Sequence, residues 1–387
     1  MRILHVTPSY LPARRYGGTI YATHGLCKSL AELGHDVHVY ATNRDGEELS
    51  DVPTMQPTRV DGVTVTYFPV NFPKRLYHSH SMAGYLKNRI GVFDIVHGHS
   101  LYLWPPWYTS RVCAKCRVPY VLSAHGMLVY SLMVKKNRLI KTLWIKLLER
   151  NNFRRASALH FASSMELKEA RRFKFHIPRH FITAHGVAMP APAAVLPGEL
   201  AAIVNNRRYI LYVGRLNWKK GIENLIRAMT DVDDAQLIIA GNDEENYRPR
   251  LHALIDTVGL QHKVTICGPV WDENKAKLMQ EASVFVLPSY SENFGIAALE
   301  AMSVGCPVVV TSGTGVAEIV SQHRAGVVTT GDSASLARAI DSVLADREQA
   351  ARFGAHGRRA VAEYYDWKRI GRLTLDNYQQ VIDRYRP

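Results

Sequence analysis

A chain of 387 residues with 47% hydrophobic and 21% charged residues is long enough for two cores and too apolar to be disordered. Its formal charge of +14 points to an anionic partner, whether nucleic acid, an anionic membrane or phosphorylated small molecules. No window reaches the roughly 18–20 apolar residues of a membrane span. The odd count of 5 cysteines does not make a disulfide framework, so a reducing cytoplasm is the expected setting.

In chain order, "MRILHVTPSY" opens with an apolar run, Ile3 to Val6, too short to serve as an export leader, and reads as a buried strand. The loop "PSYLPARRYGG" ends at Gly17 and Gly18. Leu26, Leu30 and Leu33 then line one face of a helix that Gly34 closes, and "DVHVYAT" is the next strand. The acidic "NRDGEE" (43–48) reads as an exposed loop, and "VTVTYFPV", "FDIVHGHS", "PYVLSAHG" and "ALHFAS" as further strands. A lone CxxC at Cys113–Cys116, with no second pair or His tandem, reads as packing rather than zinc or redox chemistry. The proline-rich stretch 187–207 reads as a linker. Beyond it the opening rhythm returns. "YILYVGRLNWKKGIENLIRAM" gives strand, loop with Gly214 and Gly221, then helix, and "AQLIIAG", "KVTICGPV", "VFVLPSY" and "CPVVVTS" are strands. The last stretch, from about 369 to 387, is helical in pattern and is expected to cross back to the first domain. Two such starts some two hundred residues apart define an α/β chain of two doubly wound domains, 1–190 and 200–368.

Two stretches carry chemistry. In "VGRLNWKKG" (213–221), Gly214 permits a tight turn at a strand end, and Arg215 and Lys220 project over it as phosphate ligands. A solvated basic loop would look the same. In "SENFGIAALEAMSVG" (291–305), Glu292 precedes a helix N-terminus whose free amides, near Phe294, Gly295 and Ile296, suit a phosphate oxygen. Glu292 and Glu300 are acceptors suited to sugar or ribose hydroxyls, or else partners of nearby cations. Taken together, a basic pair, a helix N-terminus and two carboxylates describe a pocket for a nucleotide-diphosphate sugar.

At this point the chain resembles glycosyltransferase family 4, the retaining enzymes of GT-B architecture with two Rossmann-like domains facing across a cleft. "SENFGIAALEAM" is similar to that family's E-x-F-G-x-x-x-x-E signature and "GRLNWKKGIENLI" to its G-R-L…K-G motif. "YGGTIYATHGLCKSLAELGHDVHVYAT", "DIVHGHS" and "SAHGM" resemble its N-terminal glycine loop and two His-containing strand ends. The resemblance implies that Arg215 and Lys220 hold the donor diphosphate and that Gly17, Gly18 and Gly214 let backbone approach it. It implies a donor-binding stretch of Glu292, Asn293, Phe294, Gly295 and Ile296, with Glu292 on the sugar hydroxyls and Glu300 on the ribose. His125 then sits by the reacting sugar, and His185 departs from the family's Asn at its position, where a structural effect is expected. It also implies same-face attack, with the leaving diphosphate oxygen taking the acceptor's proton; no Asp-x-Asp motif is present, and neither metal nor other cofactor is expected.

The segment 133–156 holds much of the basic charge. Lys135, Lys136, Arg138, Lys141 and Lys146 flank an apolar stripe that includes Trp144. It reads either as a helix packed on the sheet or as one lying on anionic lipid. The expected protein is a hexosyltransferase, peripheral on the inner face of the cytoplasmic membrane, monomeric or weakly dimeric. It would move a sugar from a UDP- or GDP-sugar to a lipid-linked saccharide in polysaccharide or glycolipid assembly. The alternatives are a non-enzymatic nucleic-acid or polyanion binder, against which no nucleic-acid motif appears, and a GT-B-fold sugar-nucleotide epimerase.

Overall fold

The structure is a computed structural model that describes residues 1–13, 15, 17–128, 144–173, 177, 179–188, 195–205, 207–243 and 245–385. The chain divides into two units, Met1–Gly186 with Trp367–Pro387, and Val187–Asp366.

The first unit is built on β1 (Arg2–Thr7), β2 (Asp36–Thr42), β3 (Arg44–Asp45), β4 (Glu48–Leu49), β5 (Pro57–Val60), β6 (Val63–Phe68), β7 (Ile95–His99), β8 (Tyr120–Ser123), β9 (Ala158–Phe161) and β10 (His180–Ile182). Its main sheet runs β10-β9-β8-β7-β1-β2-β6-β5. Every pairing in it is parallel except that of β5 with β6. A parallel sheet is covered on both faces, which is why Ile3, Leu4 and Val6 are all fully buried without alternation. The helix Gly17–Glu32 buries Leu26 and Leu30 and stops before Gly34, at φ 88°. The C-terminal helix Trp367–Tyr385 belongs to this unit and packs on that first helix, where Ser29 Oγ donates to the Trp367 carbonyl at 2.6 Å.

The second unit has β11 (Tyr209–Val213), β12 (Gln236–Ala240), β13 (Val264–Cys267), β14 (Val284–Leu287), β15 (Val308–Thr311) and β16 (Gly326–Thr329). All are parallel, in the order β13-β12-β11-β14-β15-β16. In each unit the chain builds outward from its first strand and then reverses, between β1 and β7 and between β11 and β14. Ligands of open α/β sheets bind at the carboxyl ends of strands flanking such a reversal.

Some elements differ from the sequence expectation. "NRDGEE" is not an open loop: Arg44–Asp45 and Glu48–Leu49 pair as a small antiparallel hairpin around Gly46, at φ 64°. Within 187–207, Gly198–Val204 is a helix, and Val187 pairs with Asp366. Cys113 is buried and Cys116 exposed on the helix Trp104–Cys116, both as free thiols. Of the basic segment, Lys135, Lys136, Arg138 and Lys141 lie outside the described residues, as does the side chain of Lys146. Trp144 is half-buried and donates its indole N–H to Glu149 Oε1 at 3.2 Å. No helix among the described residues is long and apolar enough to cross a membrane.

Candidate active site

In the second unit, the loops that follow the neighbouring strands β11 and β14 are joined to each other. After β11, Gly214 N–H donates to the Ala240 carbonyl and the Tyr212 hydroxyl to the Arg215 carbonyl, each at 3.0 Å, which leaves the Arg215 side chain exposed beyond the strand end. Burial, then the nearby Glu292 charge, keeps the Tyr212 phenol protonated and so a donor. Asn217 Oδ1 accepts from the Lys219 amide at 2.8 Å and starts the short turn Trp218–Lys220. Gly221 ends that turn at φ 65°, where a Cβ would sit 2.0 Å from the Pro288 carbonyl oxygen, so only glycine lets the two loops approach. The Tyr290 amide donates to the Lys219 carbonyl at 2.9 Å across the same seam.

The β14 loop is equally fixed. Glu292 N–H donates to Gly313 O and Gly315 N–H to Glu292 O, both at 3.0 Å, and Val316 N–H donates to Phe294 O at 2.6 Å. Phe294 is buried, which directs the chain into Gly295 at φ 99°. A Cβ there would lie 2.9 Å from both Leu287 and Val316 side chains. Ile296 then begins the helix Ile296–Ser303, whose N-cap residue Gly295 has no side chain to cap it, so the amides of Ile296 and Ala297 are placed to meet a ligand oxygen.

Both carboxylates have cationic partners. Glu292 accepts from Lys220 Nζ, and Glu300 Oε1 from Lys275 Nζ at 2.7 Å. Lys220 and Glu292, read separately from the sequence, are thus one ion pair. A lysine carries three donors, so Lys220 can keep Glu292 and still meet a phosphate oxygen. Lys275, on the helix Asp272–Glu281, escaped the sequence reading because nothing in "WDENKAKLMQ" marks which of its charges faces Glu300.

In the first unit the distinctive feature is a set of imidazoles inside the sheet. His5 on β1 is in register with His97 on β7, His99 with Ser123 at the end of β8, and Ser123 with His160 on β9. His5, His97, His99 and His160 are buried, and burial above all lowers each of their pKa values, His160 to about 4 and His5 to about 3. They are neutral, and each carries one proton. Their tautomers can be read from one end. His160 Nε2 must donate to the Thr183 carbonyl at 2.9 Å, so its Nδ1 accepts from Ser123 Oγ at 2.8 Å. Ser123 Oγ in turn accepts from His97 Nε2 at 2.6 Å, and His97 Nδ1 accepts from the Tyr378 hydroxyl at 2.5 Å. A backbone carbonyl thus orients a line of donors reaching to the C-terminal helix.

His5, His97 and His99 form the one group among the described residues with metal-ligand spacing, their nitrogens within 4.8 Å of one another. In this arrangement His97 has no lone pair to give, because Nε2 carries the proton and Nδ1 accepts from Tyr378.

His125 stands on the loop after β8 with φ 50°, followed by Gly126 at φ 71°. Glu166 holds this turn: its carboxylate accepts from the Gly126 amide at 2.7 Å and the Ala162 amide at 2.8 Å. Neither that role nor the imidazoles at His5 and His160 were visible in the sequence, where they lie inside strand and helix patterns. His185, the departure from the family pattern, stacks on His125 with ring centroids 5.9 Å apart and 17° between planes. Gly17 and Gly18 open the first helix after the β1 loop. A Cβ on either would meet nothing within 4 Å, so packing among the described residues does not demand glycine there.

Two family models match this chain, "Glycosyl transferases group 1" over residues 201–360 and "Glycosyltransferase Family 4" over 16–187. An uncharacterized glycosyltransferase from Methanocaldococcus jannaschii is 29% identical, over 99% of this chain and 99% of that protein. Among solved structures, the sucrose-phosphate synthase of Thermosynechococcus elongatus superposes with a TM-score of 0.76 at 22% identity, covering 99% of this chain and 100% of that one. The Anabaena protein HepE in complex with UDP-glucose superposes with a TM-score of 0.74 at 19% identity, covering 98% and 100%. The fold is GT-B and the protein is a glycosyltransferase. The chain belongs to glycosyltransferase family 4. The polyanion-binder and epimerase alternatives give way to that assignment.

Proposed function

We propose that the protein transfers a hexosyl group from a UDP- or GDP-sugar to a lipid-linked saccharide at an anionic membrane surface, with retention of configuration. The observation that carries the donor half is the seam between the β11 and β14 loops. There Arg215, Lys220 and an uncapped helix N-terminus gather positive potential beside Glu292 and Glu300, the electrostatic complement of a diphosphate flanked by two sets of hydroxyls. The structural neighbour HepE is described with UDP-glucose, which supports a nucleotide-sugar donor. Gly17 and Gly18, whose Cβ positions meet nothing within 4 Å among the described residues, are read as the place where a phosphate lies against the first helix.

In this reading Glu292 holds the sugar hydroxyls, Glu300 the ribose, and neither attacks carbon. A double displacement needs a carboxylate nucleophile at the anomeric centre, whereas this reading gives Glu292 to Lys220 and the sugar hydroxyls. Attack therefore comes from the same face as the departing diphosphate, whose oxygen takes the acceptor's proton. Arg215, Lys220 and the amides of the helix Ile296–Ser303 stabilise the charge that develops there. By the family resemblance, His125 contacts the reacting sugar.

Sugar transfer by Glu292→Gln and Lys220→Ala tests the assignment. Losses of about 10²-fold or more in kcat are expected, the scale of removing one preorganised electrostatic contact, and full activity in both variants would refute it. A thermal-shift comparison of UDP, GDP and their sugars identifies the donor, because stabilisation grows with ligand concentration over Kd.

A further inference from the structure

Three imidazoles form a second line of hydrogen bonds beside the one that ends at Thr183. His125 Nε2 lies 2.8 Å from His99 Nδ1, and His99 Nε2 lies 2.9 Å from His5 Nδ1. The rings of His99 and His125 stack with centroids 5.1 Å apart, as do those of His5 and His99 at 5.2 Å. Burial, with a contribution from neighbouring imidazoles, holds all three well on the neutral side.

A neutral imidazole has one N–H and one lone pair, and each nitrogen-to-nitrogen bond needs one proton. Only two arrangements satisfy both bonds. In the inward one, His125 Nε2–H donates to His99, whose Nε2–H donates to His5, and His5 is left with an N–H at Nε2. In the outward one, His5 Nδ1–H donates to His99, His99 Nδ1–H donates to His125, and His125 carries its proton on Nδ1. His5 Nε2 is buried with no hydrogen-bond partner among the described residues, on a strand with 0% exposure at that residue. An orphaned buried N–H is the rarer defect in proteins, and the outward arrangement leaves only a lone pair there.

We propose that His99 and His5 are positioning residues that set His125 as the Nδ1–H tautomer, so that it meets the reacting sugar as a hydrogen-bond donor. This rests on the reading of His125 as a donor-site residue. Nδ1 of His125 has no partner among the described residues, and His125 is the one ring of the three with partial exposure. It follows that His125 donates to a sugar hydroxyl oxygen and does not act as a base at Nδ1. To become an acceptor there, it would have to reverse two bonds and place an N–H on His5 in the sheet interior.

The test is a long-range proton–nitrogen correlation spectrum of the histidine rings in the full chain, with the His125 signals identified by their loss in His125→Gln. A protonated Nδ1 and bare Nε2 on His125 are expected; the opposite tautomer in the wild-type protein overturns the proposal, whatever the activity. His99→Leu is expected to leave His125 as a tautomer mixture and to lower kcat about tenfold, one hydrogen bond's worth, with donor KM within about twofold. His99→Gln, whose amide replaces one donor and one acceptor, is expected to restore the single tautomer and most of kcat. An unchanged tautomer in His99→Leu also overturns it. Should the tautomer behave as stated while His125→Ala keeps full transfer, the functional reading of His125 falls and the relay stands.

Discussion

Glu149 shows how much one side chain can decide. It is 1% exposed, and its carboxylate accepts from the Tyr102 amide at 2.7 Å, Trp144 Nε1 at 3.2 Å and Asn152 Nδ2 at 3.1 Å. Burial outweighs these bonds and raises its pKa. An acid with a raised folded pKa adds stability below its unfolded pKa and loses that contribution as pH rises through the folded value. Raising the pH through that value therefore costs stability, and among the described residues Asn152 Oδ1 is buried without a partner. Glu149→Gln removes the titration and keeps the two bonds at Oε1, while its new N–H meets Asn152 only if that amide turns over and carries its own NH2 to the unpartnered side. The variant is expected to gain stability relative to wild type as pH rises through the raised pKa, because only the wild type loses stability there. Urea unfolding at several pH values checks this; a stability difference between the two proteins that does not grow with pH refutes it. The sequence hid this residue, because "LLERNN" reads as a charged helix surface until the fold buries it.

The sheets were legible and their interiors less so. "DVHVYAT" marks β2 to the residue, and the glycine loops before the first helices mark both strand-to-helix turns, because buried parallel strands need near-continuous apolar runs. Short strands such as β5, β10 and β16 lack that run and went unread. The histidines inside β1 and β9 read only as strand residues and those of β7 as a strand end, since spacing along one strand carries no information about register with the next. That register has a consequence for pH. His5, His160 and His185 have folded pKa values of about 3, about 4 and about 3, below the usual 6.5. A base with a depressed folded pKa contributes stability above its unfolded pKa and loses it as pH falls from about 6.5 toward the folded value. Each costs on the order of 1 kcal/mol per pH unit in that window. The sheet of the first unit is therefore expected to melt markedly lower at pH 5 than at pH 7, and an unchanged Tm would contradict the neutral network.

The same scale separates glycines that serve the fold from those that serve a ligand. Gly221→Ala places Cβ against the Pro288 carbonyl and is expected to lower stability by about 2 kcal/mol or more. Gly18→Ala meets no neighbour and is expected to leave Tm unchanged while donor KM rises. Parallel melting curves and donor titrations decide it; a destabilised Gly18→Ala would give that glycine a packing role instead.

At the scale of the whole molecule, 48 Lys and Arg face 34 Asp and Glu. The ion pairs Lys220–Glu292 and Lys275–Glu300 use equal numbers of each sign, so they contribute nothing to the excess of +14. The excess therefore serves something other than those pairs, and an extended anionic surface is the partner that many scattered cations recognise. Exposed charges are screened over about 8 Å at physiological ionic strength, whereas contacts in a partly buried site are screened less. Salt should thus separate two functions. Binding to vesicles containing phosphatidylglycerol is expected to fall steeply between low salt and about 0.5 M, with no binding to phosphatidylcholine alone, while donor KM moves only severalfold. Co-sedimentation and donor kinetics over one salt series measure both. Equal binding to the two vesicle types would leave the positive excess unrelated to membranes.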